Sequence, residues 1–90
     1  MNRLEIVHLR SSGESLETLA ALIKESIWED GSGSEVATVY RRSGLATDIA
    51  VHIRRDRGSG GNDPIALACR LTAALREYGI VEHTVWEEMP

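Results

Sequence analysis

Glu35-Val36-Ala37-Thr38-Val39-Tyr40-Arg41-Arg42, then Ser43-Gly44-Leu45-Ala46-Thr47, then Asp48-Ile49-Ala50-Val51-His52-Ile53-Arg54-Arg55 is the stretch that decides the fold. Two runs rich in β-branched residues alternate with period two and are separated by five residues of turn chemistry, the pattern of a hairpin. It lies in the middle of the chain, and each side of it carries one more strand and one helix.

Upstream, Leu4 to Arg10 alternates with both sides largely apolar, which predicts a strand covered on both faces. After Ser11-Ser12-Gly13, Leu16, Leu19, Ala20, Ile23 and Ile27 recur at helical spacing, with Ser12 or Ser15 as cap. That helix must end by Asp30-Gly31-Ser32-Gly33-Ser34. Downstream, Arg57-Gly58-Ser59-Gly60-Gly61-Asn62 reads as a loop and Asp63-Pro64 as the start of a second helix. Its buried stripe is expected at Leu67, Leu71, Ala74, Leu75 and Tyr78, with Cys69 semi-buried and Gly79 as a left-handed stop. Ile80 to Glu87 then alternates as a last strand.

The order βαββαβ, with right-handed crossovers, resolves most simply into an α+β fold of ferredoxin-like type: a four-stranded antiparallel sheet of order 4-1-3-2 with two helices on one face. Ninety residues leave no room for a second core, so one domain over 1–90 is expected. In this arrangement Ile49, Val51 and Ile53 face the helices with Val7 and Leu9. Leu4, Ile6, His8, Asp48, Ala50, His52 and Arg54 fall on the open face, and Val81, His83 and Val85 are expected to join them. An apolar open face invites a second subunit.

In length, element order and apolar open-face positions such as Leu4, Ile6, Val81 and Val85, the chain resembles the dimeric α+β-barrel superfamily. There, two ferredoxin-like subunits place their sheets face to face around a cavity. The resemblance implies a homodimer with a small-ligand site between sheets. Within that superfamily some members are small monooxygenases, others bind haem or small ligands, and no motif here selects a branch.

The composition closes several other routes. Ten basic against fourteen acidic residues give a net charge of −4, which repels a nucleic-acid backbone. A lone cysteine, Cys69, makes no intramolecular disulfide and offers too few soft ligands for a structural zinc. No apolar run reaches the roughly 20 residues of a membrane span, so the expected protein is soluble, untargeted and cytoplasmic. Ser11-Ser12-Gly13-Glu14 replaces the phosphate loop of an acylphosphatase, and strands one and three lack the stacking aromatics of RNA-recognition modules.

Three groups of residues carry candidate chemistry. His8, His52 and His83 fall one each on adjacent strands; on a common face they would serve as acid–base groups or ligands near neutral pH. With Trp86 they are the candidate ligand or proton-transfer residues. Each histidine also fits an ordinary strand position with one satisfied hydrogen bond. Arg54, Arg55 and Arg57 precede Gly60 and Gly61 at a helix start, a setting for an anion, but the loop lacks the Lys-Ser/Thr ending of a P-loop and fits a surface connection equally. Arg41-Arg42 and Arg54-Arg55 belong to opposite ends of the hairpin and form no common patch. No metal site and no particular cofactor is indicated. The readings that stay open are a homodimeric ligand-binding module, a small enzyme using the strand histidines, and an interaction protein without a cavity.

Overall fold

The computed structural model describes residues 3–30, 37–55 and 64–90. Its elements run β1 (Arg3–Ser11), α1 (Leu16–Asp30), β2 (Ala37–Arg41), β3 (Asp48–Arg55), α2 (Pro64–Leu75), a 3-10 turn (Arg76–Tyr78) and β4 (Gly79–Glu87). The four strands form one antiparallel sheet in the order β2-β3-β1-β4, the expected 4-1-3-2 arrangement. The central hairpin lies where its composition puts it: Arg42 N–H donates to the Asp48 carbonyl and Leu45 N–H to the Arg42 carbonyl, with Gly44 at φ +82, a conformation that favours glycine. Glu35 and Val36 of the expected β2 lie outside the described residues, as does the Asp63 cap.

α1 begins one residue after Ser15, whose Oγ accepts the Thr18 N–H at 3.2 Å. Ser15, not Ser12, is therefore the cap. Ser12 is used elsewhere, donating through N–H and Oγ to the Tyr78 carbonyl, which ties the end of β1 to the turn before β4. The helix stripe then packs Leu19, Ile23 and Ile27 onto the sheet, α2 adds Leu67, Ala68, Leu71 and Leu75, and Val7, Leu9, Ala37, Ile49, Val51 and Ile53 complete the core from the strands. Burial of each such Leu or Ile stabilises the fold by about 1.5–3 kcal/mol. α1 lies mainly over β2 and β3, and α2 over β1 and β4.

Three expectations about single residues are corrected. Cys69 is exposed, because the buried face of α2 runs through Leu67, Ala68, Leu71 and Leu75 and two residues past Leu67 the helix has turned about 200°. Ala74, near the C-terminal end of α2, is exposed as well. Gly79 does follow the turn, but at φ 156 and ψ −154 it is no left-handed cap; it is already the first residue of β4. Its reason to be glycine is the approach of β1, since a Cβ would fall on the Arg10 carbonyl oxygen.

The most consequential correction concerns β4. Its register sets Leu9 opposite Val81, Val7 opposite His83 and Glu5 opposite Val85, so Val81, His83 and Val85 are on the helix side of the sheet and not on the open face. Residues directly opposite in a ladder share a face, and Val7 and Leu9 are buried beneath the helices. The open side of β4 is Ile80, Glu82, Thr84 and Trp86 instead. No helix among the described residues is long and apolar enough to cross a membrane.

Candidate functional site

The open face can be read off the register row by row. Leu4 lies between Arg54 and Trp86, Ile6 between His52 and Thr84, His8 between Ala50 and Glu82, and Arg10 between Asp48 and Ile80; β2 adds Thr38 beside His52 and Tyr40 beside Ala50. Two of the three candidate histidines, His8 and His52, are thus diagonal neighbours on this face, and the third is not there. His83 is on the other side, hydrogen-bonded through Nε2 to Oε1 of Glu5 at 3.1 Å. Glu5 is buried in the helix-side layer and His83 is its only hydrogen-bond partner among the described residues. This is the bland alternative for a strand histidine, realised in one case of three. Among the described residues no cluster of three or more His, Cys, Asp or Glu could hold a metal ion.

His8 has a specific partner. Its Nε2 is 2.9 Å from Oδ2 of Asp48, and Asp48 is almost fully buried although it starts a strand on the open side. The Thr47 hydroxyl donates to Asp48 Oδ1 at 2.8 Å, and Arg10 Nε and an Arg42 guanidinium nitrogen lie 3.7 and 3.6 Å from its two oxygens. The Thr47 and His8 hydrogen bonds, opposed by burial and helped by the Arg10 charge, hold the Asp48 carboxyl below its ordinary pKa. Ionised, it can only accept, so the proton on the shared line belongs to His8 Nε2.

His52 is different in kind. No ionic partner of His52 is seen among the described residues; its ring packs against Tyr40 with centroids 4.6 Å apart and planes tilted by 54°. Burial pushes its imidazole below the ordinary histidine value of 6.5, so it is neutral at pH 7 and serves as a flat, weakly polar surface. The sign of the linkage follows. The unfolded chain takes up this proton first, so stability falls as pH drops through about 6.5 and levels off once the folded group is also protonated. The Asp48 contribution persists until pH falls below the ordinary carboxylate value of 3.8, outside that window. Denaturant unfolding at pH 7.5 and 5.5 is therefore expected to show a smaller loss of stability for His52→Gln than for the unsubstituted protein; an equal loss in both would remove His52 as its source.

The β1–β4 register that moves His83 away brings Trp86 onto the open face, 58% exposed, its indole N–H donating to the Thr84 hydroxyl at 3.0 Å. Trp28 is on the outer side of α1, 81% exposed, far from this constellation in the layer order. Of the candidate anion site, Arg54 is at the Leu4 end of the open face; Arg57, Gly60, Gly61 and the side chain of Arg55 lie outside the described residues. A hollow of about 630 Å³ lined by Leu16, Glu17, Arg41, Arg42 and Leu45 lies between the start of α1 and the hairpin loop and includes none of the candidate residues. It is wide and shallow, and Ser15 already caps the helix end beside it.

Sequence reasoning passed over Asp48, Thr47, Arg10, Arg42 and Tyr40 as functional neighbours. One signal was available: aspartate is disfavoured in strands, so Asp48 at the head of an otherwise apolar strand marks a carboxylate held by something. Thr47 beside it is one holder, but His8 is 40 residues away in sequence, and only the β1–β3 register brings it there.

No protein-family model matches the chain, and no curated protein does. Among solved structures it is similar to that of Rv0793 from Mycobacterium tuberculosis, with a TM-score of 0.66 over 100% of this chain and 97% of that one, at 16% identity. At that identity the likeness is one of fold: the α+β arrangement of four antiparallel strands and two helices is shared along the whole length of both chains.

Proposed function

We propose that the protein is a homodimer whose two open sheet faces meet and enclose a small-ligand site built on His8, Asp48, His52, Tyr40 and Trp86. The observation that carries this reading is the composition of the open face. An antiparallel sheet with one face in water normally alternates apolar-in and polar-out, yet here Leu4, Ile6 and Ala50 run along the two central strands, with Tyr40, Ile80 and Trp86 exposed at the flanks. No described part of the chain lies over them.

A second copy fits this face better than an unrelated partner does. Arg10, Arg42 and Arg54 on or beside it are set against Asp48 and Glu82, so the two signs are mixed and nearly balanced, although the whole chain carries −4. Four strands at about 4.8 Å spacing and roughly 26 Å length present on the order of 500 Å² per copy. Two copies then bury on the order of 1,000 Å², the lower bound for a specific interface. Polar groups set into this apolar band, above all the His8–Asp48 pair, are the makings of a binding site.

Sedimentation equilibrium tests the assembly. The protein is expected to be dimeric at micromolar concentration, and Ile6→Arg, which puts one charge on each side of the contact, is expected to weaken the dimer by about 100-fold or more with the far-UV circular dichroism unchanged. A monomer at tens of micromolar, or an Ile6→Arg protein as dimeric as the original, rules the reading out.

A further inference from the structure

Resting on that reading, we infer that His8 is the proton acceptor of the open-face site, with Asp48 as its positioning partner, and that the ligand is a flat molecule carrying a weakly acidic O–H or N–H group. Three observations converge on this. The first is the tautomer. Asp48 Oδ2 accepts from His8 Nε2 at 2.9 Å, which leaves the Nδ1 lone pair as the basic position of the ring; no hydrogen bond to Nδ1 is seen among the described residues. About a third of the side chain is exposed, so that lone pair belongs to a group a ligand can reach.

The second is the support behind the carboxylate. Thr47, Arg10 and Arg42 all converge on Asp48, far more than a strand-end aspartate needs to be satisfied. A carboxylate so fixed orients the imidazole and pairs with the imidazolium once His8 is protonated, the role such a group has beside any histidine base. The charged and titratable groups on this side near His8 are Asp48 and His52 from β3, Arg42 beside Asp48 and Tyr40 from β2, Arg10 on its own strand and Glu82 from β4. Glu82 is the direct cross-strand neighbour, and Arg10 is drawn toward Asp48.

The third is the shape of what surrounds it. The tilted Tyr40 and His52 rings on one side, Ala50 and Ile6 beside His8, and Trp86 two rows further along the same face offer flat surfaces. A planar body packs there with favourable ring contacts, and its acidic hydrogen is the group the base can use. In the step itself the proton leaves the ligand O–H or N–H for His8 Nδ1, the bonding pair stays on the ligand as an anion, and the imidazolium is neutralised by Asp48. Reversal restores both, and no other bond changes.

Two measurements on the full chain test the assignment. Long-range proton–nitrogen correlation spectra of the protein without ligand should show His8 as a single Nε2–H tautomer, converted to a mixture in Asp48→Asn; an Nδ1–H tautomer or a mixture in the unsubstituted protein overturns the proposal. The second uses 4-nitrophenol, whose ionised form absorbs in the visible, beside 4-nitroanisole, which has its shape without the proton. At a pH below the phenol's own pKa, bound 4-nitrophenol should be about tenfold more ionised than free, an effect absent in His8→Gln. Each variant should retain measurable binding of 4-nitroanisole in equilibrium dialysis, which shows that the site is still formed. Binding of both probes without extra ionisation, or ionisation that survives His8→Gln, overturns the proton acceptor and leaves the ligand site standing; binding of neither removes both.

Discussion

Replacing Leu9 by alanine is expected to destabilise the protein by about 3–4 kcal/mol. Leu9 is fully buried in the central strand β1, between Ile49 of β3 and Val81 of β4, on the side that α2 covers. Deleting three carbons there loses their transfer free energy and leaves a cavity that neither neighbouring strand can close, because both are held in ladder register. For a chain of this length total stability is on the order of 5–13 kcal/mol, so one substitution removes a quarter or more of it and lowers Tm by about 15–25 °C. The loop residue Leu45, 42% exposed, provides the comparison: Leu45→Ala should cost less than about 0.5 kcal/mol. Thermal and urea unfolding of both proteins checks this, and a Leu9→Ala cost below about 1 kcal/mol is incompatible with the helix-side assignment of β1.

Gly79→Ala is expected to cost about 3 kcal/mol, and the contrast with Gly44→Ala is the informative part. At Gly79 the added Cβ meets the carbonyl of Arg10 and the Cα of Ser11. These are backbone atoms of the partner strand, so no rotamer change relieves the contact, and β4 must draw away from β1 at the point where its register begins. At Gly44, φ is +82 but the surrounding space is open, so alanine there incurs only the left-handed backbone cost of about 1 kcal/mol. Equal effects at the two positions would mean that β4 does not begin against Arg10 and Ser11. Because that register also decides which residues of β4 share a face with His8, this stability measurement bears on the functional site.

Much of the fold was legible because it depends on local pattern. Asp48–Arg55 was bounded correctly and its faces assigned correctly, since Ile49, Val51 and Ile53 alternate with residues that are mostly polar. The Leu19, Ile23, Ile27 stripe of α1 was equally plain. β4 was not, for a physical reason: Val81, His83 and Val85 on one side and Ile80, Glu82, Thr84 and Trp86 on the other each mix apolar and polar groups, so alternation does not name the core side. Shifting the parity of one strand sends every side chain to the opposite face, and that is how Val81, His83 and Val85 left the expected open face and Trp86 came onto it.

The amino-acid sequence by itself determined the order βαββαβ, the central hairpin, and the side of β3 that meets the helices, because each follows from periodicity and turn chemistry within a few residues. The tertiary structure alone decided which histidines stand together. His8 and Asp48 are 40 residues apart, and no local preference encodes their meeting; it follows from the β1–β3 register, while the β1–β4 register carries His83 to Glu5 on the far side of the sheet. Strand registers are set by how the apolar faces of all four strands pack together beneath two helices, and that is a property of the assembled core.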